Sequence, residues 1–529
     1  MRKIGLEKQK PTWLVGLNRR CGLKRSINLI FAVISIIFVL TIIAKATNKV
    51  NNVWWPDDHL NCFTVLVGRE ASADGSVIVA HNEDDYGNII VNVRKIAPRN
   101  YGPKIKINLG TGAVYETDGQ TNGFLWIEAT SQEFADSFIS DYGVVITSDA
   151  CSSRENKEDL SDGGISYMLR RLVAEKARSA REAVQLIGQL VERYGYRSSG
   201  RTYSVADKNE AWMVAVIKGR HWFAQRVPDD QVAVIPNFYT IGQIRLDDPV
   251  NFMGSSDIID YAKKNGWYDE TRDGSFIFKK VFNRPSNREP VFDGNTLRMW
   301  RGVSWLSGQK WEITADFPFS FKPAKKVTPE MLMSLLRDHY EGTPYEATKG
   351  YQQGSPNKTK FRTICTSSTI NSFIACLNNK KPEPISTLVW LAFGKPDTTV
   401  YLPIYYGVEA LPEGAGYGPT THDYELFYQQ HFEPKELATV KDRLLSTKVQ
   451  LFGNLVEANY GQMIQVVKKD LSPVEKKYLT GQTNFENKFR KLYARNKIAA
   501  QKLLNDYLAA AFTQVENIYH RLLKSSQPS

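Results

Sequence analysis

The chain has 529 residues, enough for one large domain with an appendage or for two or three ordinary domains. Its 42% hydrophobic and 12% aromatic content excludes a wholly disordered protein. The formal charge of +12 is spread along the chain, densest in the N-terminal leader and the C-terminal helices, and no nucleic-acid-binding motif accompanies it. It therefore reads as a solvated surface with a membrane-proximal bias, and nucleic acid is not an expected partner.

Residues 1–26 form a basic leader, with Arg19, Arg20, Lys24 and Arg25 just ahead of the uncharged run 27–43. Seventeen largely apolar residues lie at the lower limit for spanning a bilayer, and the flanking cations hold the N-terminus in the cytoplasm. Ala44-Lys45-Ala46 has the small-x-small form of a processing site, so 27–46 fits a cleaved signal and a retained anchor equally. In both cases the body of the protein is expected outside the cytoplasm. Residues 47–61 are a polar propeptide or spacer.

Cys62 begins the first segment with globular character. Strands are expected at Cys62–Val67 and Val77–Ala80, joined by a turn at Asp74-Gly75. If the bond after Asn61 is cut, the new α-amine and the thiol sit on one residue. Their ordinary pKa values, about 7.7–8.0 and about 8.5, allow proton transfer between them near neutral pH. The polar cluster His81-Asn82-Glu83-Asp84-Asp85 follows the hairpin and can return to the start of the first strand, where a carboxylate would hold that amine. Val144–Thr147 reads as a short buried strand. Leu169, Leu172, Val173, Ala177 and Ala180 have helical spacing, and Ser179 with Glu182 forms a capping box for a second helix stopped by Gly195.

Strands are expected again at Arg201–Ala206, Ala211–Lys218, His221–Arg226 and Val232–Ile235. Asn237 follows the last of these, where a side-chain amide can donate to a developing oxyanion. The stretch 243–330 reads as loop-rich, with further strands at Ser386–Ala392 and Thr399–Pro403 and an α-helical region over 434–529 opening at Pro434. Segregated strands and helices favour an α+β fold. Five cysteines, at 21, 62, 151, 365 and 376, do not make a disulfide scaffold, although Cys365 and Cys376 could pair in an oxidising compartment. Seven scattered histidines offer neither HExxH nor paired CxxC, so no zinc site and no cofactor are expected.

The segment from Cys62, CFTVLVGREASADGSVIVAHNED, resembles the mature start of the cysteine dipeptidases of the N-terminal-nucleophile hydrolase superfamily. The blocks YGVVITSDACSSRE, AQRVPDDQVAVIPNFYTIG and NTLRMWRGVSWLSG are similar to later segments of that family, in order. The resemblance implies a four-layer αββα sandwich with an α-helical C-terminal extension, a catalytic domain over 62–433, and Cys62 as nucleophile. It places Asp84 at the nucleophile's amine, Asn237 in the oxyanion hole and Arg298 beside them. Arg301 comes next in the same element, and Asp149 falls near a second oxyanion-hole position. His81 and Asn82 lie in the element where related amidases carry Arg-Asn, and with Asp149 and Arg301 they are expected on the substrate side. The implied function is an exported dipeptidase acting on short peptides, activated by processing, possible as a homo-oligomer and membrane-bound if the leader is kept. A penicillin- or bile-salt-type amidase and an inactive membrane-anchored binding protein are the alternatives.

Overall fold

The computed structural model describes residues 62–85, 89–289, 292–346, 354–357, 362–420 and 423–525. The leader, the 27–46 span and the 47–61 spacer lie outside these residues. Among the described residues no helix is long and apolar enough to cross a membrane.

The hairpin forms as its sequence dictates. Asp74 Oδ1 accepts the N–H of Ser76 at 3.1 Å and Gly75 takes a φ of 80°, closing the turn between Phe63–Val67 and Val77–Asp84. The second strand runs four residues past the expected Ala80, so the His81–Asp84 cluster is strand and not turn. These two strands belong to a six-stranded antiparallel sheet ordered Val232–Ile235, Phe63–Val67, Val77–Asp84, Thr369–Leu377, Thr387–Ala392, Leu402–Tyr405. The Thr369–Leu377 strand, next to the hairpin, is not among those expected from sequence.

A second, eight-stranded antiparallel sheet runs Phe252–Gly254, Trp222–Val227, Ala211–Gly219, Tyr196–Ala206, Val145–Ala150, Ser137–Ser140, Phe124–Ala129, Val91–Ile96. Alternation along Phe124–Ala129 shows how it divides the core. Leu125, Ile127 and Ala129 join the buried cluster shared with the first sheet, whereas Phe124 and Trp126 join a second cluster with Leu172, Val184 and Ile187. The helices Met168–Lys176 and Ala180–Tyr194 thus cover one outer face. Ser179 Oγ caps the second of these by accepting from Glu182 N at 3.2 Å, and Gly195 ends it at φ 80°. The reciprocal bond of the capping box lands one residue early, from Arg178 N to Glu182 Oε2.

The other outer face carries the helices Gly294–Ser307 and Pro329–Leu336 together with the C-terminal helices, whose Leu332, Val449, Phe452 and Phe512 belong to the first cluster. The layers are helix, sheet, sheet, helix. The Gly294–Ser307 helix corrects the loop-rich reading of 243–330: Asp293 accepts from Thr296 N and nucleates it, which puts Arg298 and Arg301 one turn apart. The helical tail starts at Tyr424, ten residues before Pro434, and Pro434 lies between helices. Arg337 pairs with Glu475 at 2.6 Å, and Lys381 with Glu486 at 2.9 Å, fixing the tail to the sheet layer. Cys365 and Cys376 are free, buried thiols.

Candidate active site

Strand register decides what meets the Cys62 thiol. Phe63 pairs with Asn82 and Thr64 with His81, so one further step sets Cys62 opposite Glu83. Thr64 Oγ1 reaches Asp149 Oδ2 on the other sheet at 2.7 Å, so the side chains of Cys62, Thr64, His81 and Glu83 point into the seam between the sheets. Phe63 points the opposite way, toward Gly302 of the Gly294–Ser307 helix, where any Cβ would lie 3.1 Å from its ring.

In the seam the thiol donates to Glu83 Oε1 at 3.0 Å, and Glu83 Oε2 lies 3.0 Å from His81 Nε2. His81 Nδ1 is 2.7 Å from Thr64 Oγ1, which continues to Asp149. All five side chains are buried. Donor counting permits two proton arrangements here. With Asp149 ionised, the Thr64 hydroxyl donates to its Oδ2 and accepts from His81 Nδ1; with Asp149 protonated, its hydroxyl donates to Thr64 and Thr64 donates to His81 Nδ1.

Burial is the main reason that Asp149 is pushed up from 3.8 to about 7; Glu83 adds to the shift, while His81, Thr64 and Arg201 oppose it. Its Oδ1 has no hydrogen-bond partner. The sign of the consequence follows. The unfolded carboxyl ionises near 3.8 and the folded one near 7, so this group's contribution to stability is full below pH 4 and is lost as pH rises to 7. Asp149→Asn is expected to flatten the fall in folding free energy between pH 4 and 7 by something on the order of 4 kcal/mol, read from denaturant melts at several pH values. An unchanged slope would place the titrating proton elsewhere.

The backbone of Cys62 is gripped from the helical side. Arg298, fully buried, donates from Nη1 to the Cys62 carbonyl oxygen at 2.7 Å. From Nη2 it donates to Asn237 Oδ1 at 2.9 Å and to Asn295 Oδ1 at 2.5 Å. Asn237 Nδ2 spends one N–H on the Ala150 carbonyl at 3.0 Å. Asp84 lies on the outer face of its strand, its carboxylate held by Arg362 Nη2 at 2.8 Å and Thr369 Oγ1 at 2.6 Å. Burial raises its pKa, against the pull of Arg362, Thr369 and Arg298. Cys62, Asp84, Asn237 and Arg298 are therefore gathered at one strand end.

The residues expected on the substrate side divide. His81 and Asp149 are within the seam network. Asn82 faces the other way and donates to the carbonyls of Leu336 and Ile364, both at 2.9 Å, which makes it a strand-to-loop tie. Arg301 is paired with Asp338 at 2.5 Å and donates to the Glu341 carbonyl, turned from the thiol. Three participants are absent from the sequence reading: Thr64, Ser148 and Arg201. Arg201 comes from the opposite sheet and donates to Ser148 Oγ at 3.1 Å. Burial works against its charge, but Tyr196, Tyr203, Cys62 and Glu83 hold its pKa above the ordinary value. It supplies a buried cation near enough to Cys62 and Glu83 to interact with both. The thiol itself is poorly activated: burial first, then Glu83, Asp149 and Asp84, push its pKa well up. Cys151, also buried, is pushed up to about 12 and is no competing nucleophile.

An αββα sandwich with a cysteine heading an interior strand, backed by a guanidinium and a carboxamide, has the make-up of a cysteine hydrolase. The chain belongs to peptidase family C69, whose sequence profile matches residues 61–441. It is 28% identical over 363 residues to a probable dipeptidase of Latilactobacillus sakei, covering 65% of this chain and 74% of that protein. To dipeptidase A of Lactobacillus helveticus it is 28% identical over 415 residues, covering 75% and 84%. Among solved structures it is similar to penicillin V acylase from Agrobacterium tumefaciens, at 14% identity and a TM-score of 0.32, covering 65% of this chain and 86% of that one. A conjugated bile acid hydrolase variant from Clostridium perfringens matches at 9% identity and a TM-score of 0.33, covering 68% and 99%. These two likenesses are too weak to add to the fold seen directly.

Proposed function

We propose that the protein is an exported cysteine dipeptidase whose nucleophile, Cys62, is completed by cleavage after Asn61. The observation that carries the reading is the Arg298 bridge, which brings the Cys62 carbonyl and Asn237 to one guanidinium from positions far apart in sequence. The start of the family match at residue 61 and the dipeptidase relatives support it.

In the proposed reaction the free α-amine of Cys62 takes the Sγ proton and the thiolate attacks the peptide carbonyl carbon. The second N–H of Asn237 Nδ2 stabilises the oxyanion. The amine then returns the proton to the leaving amino group, and water hydrolyses the thioester. Asp84 lies one register step beyond the thiol, where an amine replacing the Asn61 peptide bond would find a carboxylate. Arg201 stabilises the thiolate across the seam. A peptide nitrogen cannot act as this base, so the uncut chain is a zymogen. The basic leader and apolar run support export. Membrane attachment, if the leader is kept, is part of the same proposal.

Turnover of a dipeptide panel beside penicillin V, using the mature protein, tests the substrate class. Dipeptides are expected to be the better substrates by kcat/KM; faster hydrolysis of penicillin V would move the protein to the amidases.

A further inference from the structure

Behind Asp84, three loops converge on buried donors that the reaction above does not use. His339 follows the Pro329–Leu336 helix, Cys365 precedes the Thr369–Leu377 strand, and Asp397 lies between the last two strands of the six-stranded sheet. One ligand atom from each lies within 4.8 Å of the other two, and the residues are 3%, 0% and 8% exposed.

We infer that His339, Cys365 and Asp397 bind a divalent transition metal of the zinc class, which ties together the loops that position Asp84. The His339 Nε2 to Asp397 Oδ2 distance is 3.6 Å, too long for a hydrogen bond. It is close to the edge of a tetrahedron built on metal bonds of about 2.0–2.2 Å, which is about 3.4 Å. His339 Nδ1 lies 3.0 Å from Glu341 Oε1, and its backbone N–H donates to Glu341 Oε2 at 2.7 Å. A carboxylate on one ring nitrogen orients the other toward a metal, the arrangement usual behind ligating histidines. Asp397 Oδ2 accepts from Tyr460 at 2.7 Å and from Asn357 at 3.3 Å, but Asp397 Oδ1 is buried with no hydrogen-bond partner. Asn357 Oδ1 lies within hydrogen-bond distance of His339 Nε2, at 3.2 Å, and becomes a fourth donor when a metal takes the place of that hydrogen bond. Lys395, the nearby cation, is held by Glu457 at 2.6 Å. A cavity of about 240 Å³ lined by His339, Asp397, Glu341 and Tyr460 gives an ion its entry.

The other group of potential ligands, Cys62, His81 and Glu83, needs no ion, because hydrogen bonds of 3.0 Å join its members. The new site does not depend on the proposed peptidase activity. It touches that activity through Arg362 and Thr369, which flank Cys365 in sequence and hold the Asp84 carboxylate. On ligation the Cys365 thiol releases its proton to solvent and the thiolate sulfur bonds the metal.

The test uses the full chain carrying Cys62→Ala, so that the active-site thiol cannot contribute. After chelator treatment it is titrated with Co2+ and then with Zn2+. One Co2+ per chain is expected, with thiolate-to-cobalt charge-transfer absorption that Zn2+ bleaches and that is lost on adding Cys365→Ser. Glu341→Gln is expected to weaken binding about 10–100-fold. Should Cys365→Ser not fold, Glu341→Gln decides. A folded Cys62→Ala chain with no thiolate band, or a band and affinity indifferent to these substitutions, would leave only a buried His339–Asp397 ion pair and overturn the proposal.

Discussion

Cys62→Ala is expected to lower kcat/KM for any dipeptide substrate by at least about 10⁴-fold, because no neighbouring group can take over the attack. Cys151 is turned to the Pro236 carbonyl at 3.8 Å with its pKa pushed up to about 12. Glu83, though 3.0 Å from the sulfur, is a carboxylate engaged with His81. The fold should tolerate the change. The substitution removes one buried S–H bond and one sulfur at a strand end, a loss of about 1 kcal/mol, so Tm should move by only a few degrees. Steady-state kinetics paired with a thermal melt therefore separates lost chemistry from lost structure. Hydrolysis at the wild-type rate would show that the sulfur is not the nucleophile.

The second large effect belongs to Arg298. Arg298→Ala leaves the buried Cys62 carbonyl and Asn237 Oδ1, and the partly buried Asn295 Oδ1, without their donor. Each buried acceptor left unpaired typically costs about 1–3 kcal/mol, which should appear as a lower denaturant midpoint. Arg298→Lys separates the roles. A lysine keeps the charge but cannot span the carbonyl and two carboxamides with a planar fork, so the protein should fold while Asn237 loses its fixed orientation. We expect kcat to fall about 10²–10³-fold in Arg298→Lys, the size of effect seen when an oxyanion donor is lost. Unaltered kcat in a folded Arg298→Lys protein would mean that the guanidinium serves packing alone.

Much of this arrangement is legible along the chain. The Asp74-Gly75 turn and the Ser179 cap each act within a few residues, and the structure has both. The Thr369–Leu377 strand is harder to see because Asn371 and Ser372 interrupt its apolar run, and both are buried between neighbours that sequence does not pair. Asp293 lies in a stretch that reads as loop-rich, yet it caps a helix, since Met299, Val303 and Leu306 have a core to face. Within the site, period-two alternation puts Cys62 with Thr64 and His81 with Glu83. Which strand of the second sheet lies opposite is a matter of tertiary packing, so Asp149, Ser148 and Arg201 emerge as seam partners only in three dimensions. The same holds for His339, Cys365 and Asp397, which come from separate loops with no ligand spacing for a motif to reveal.

The most direct measurement is the intact mass and N-terminal sequence of the catalytically active species purified from its native compartment. The account predicts a chain that starts at Cys62 with an unblocked α-amine. Full peptidase activity in a chain that still carries the Asn61–Cys62 peptide bond would contradict it.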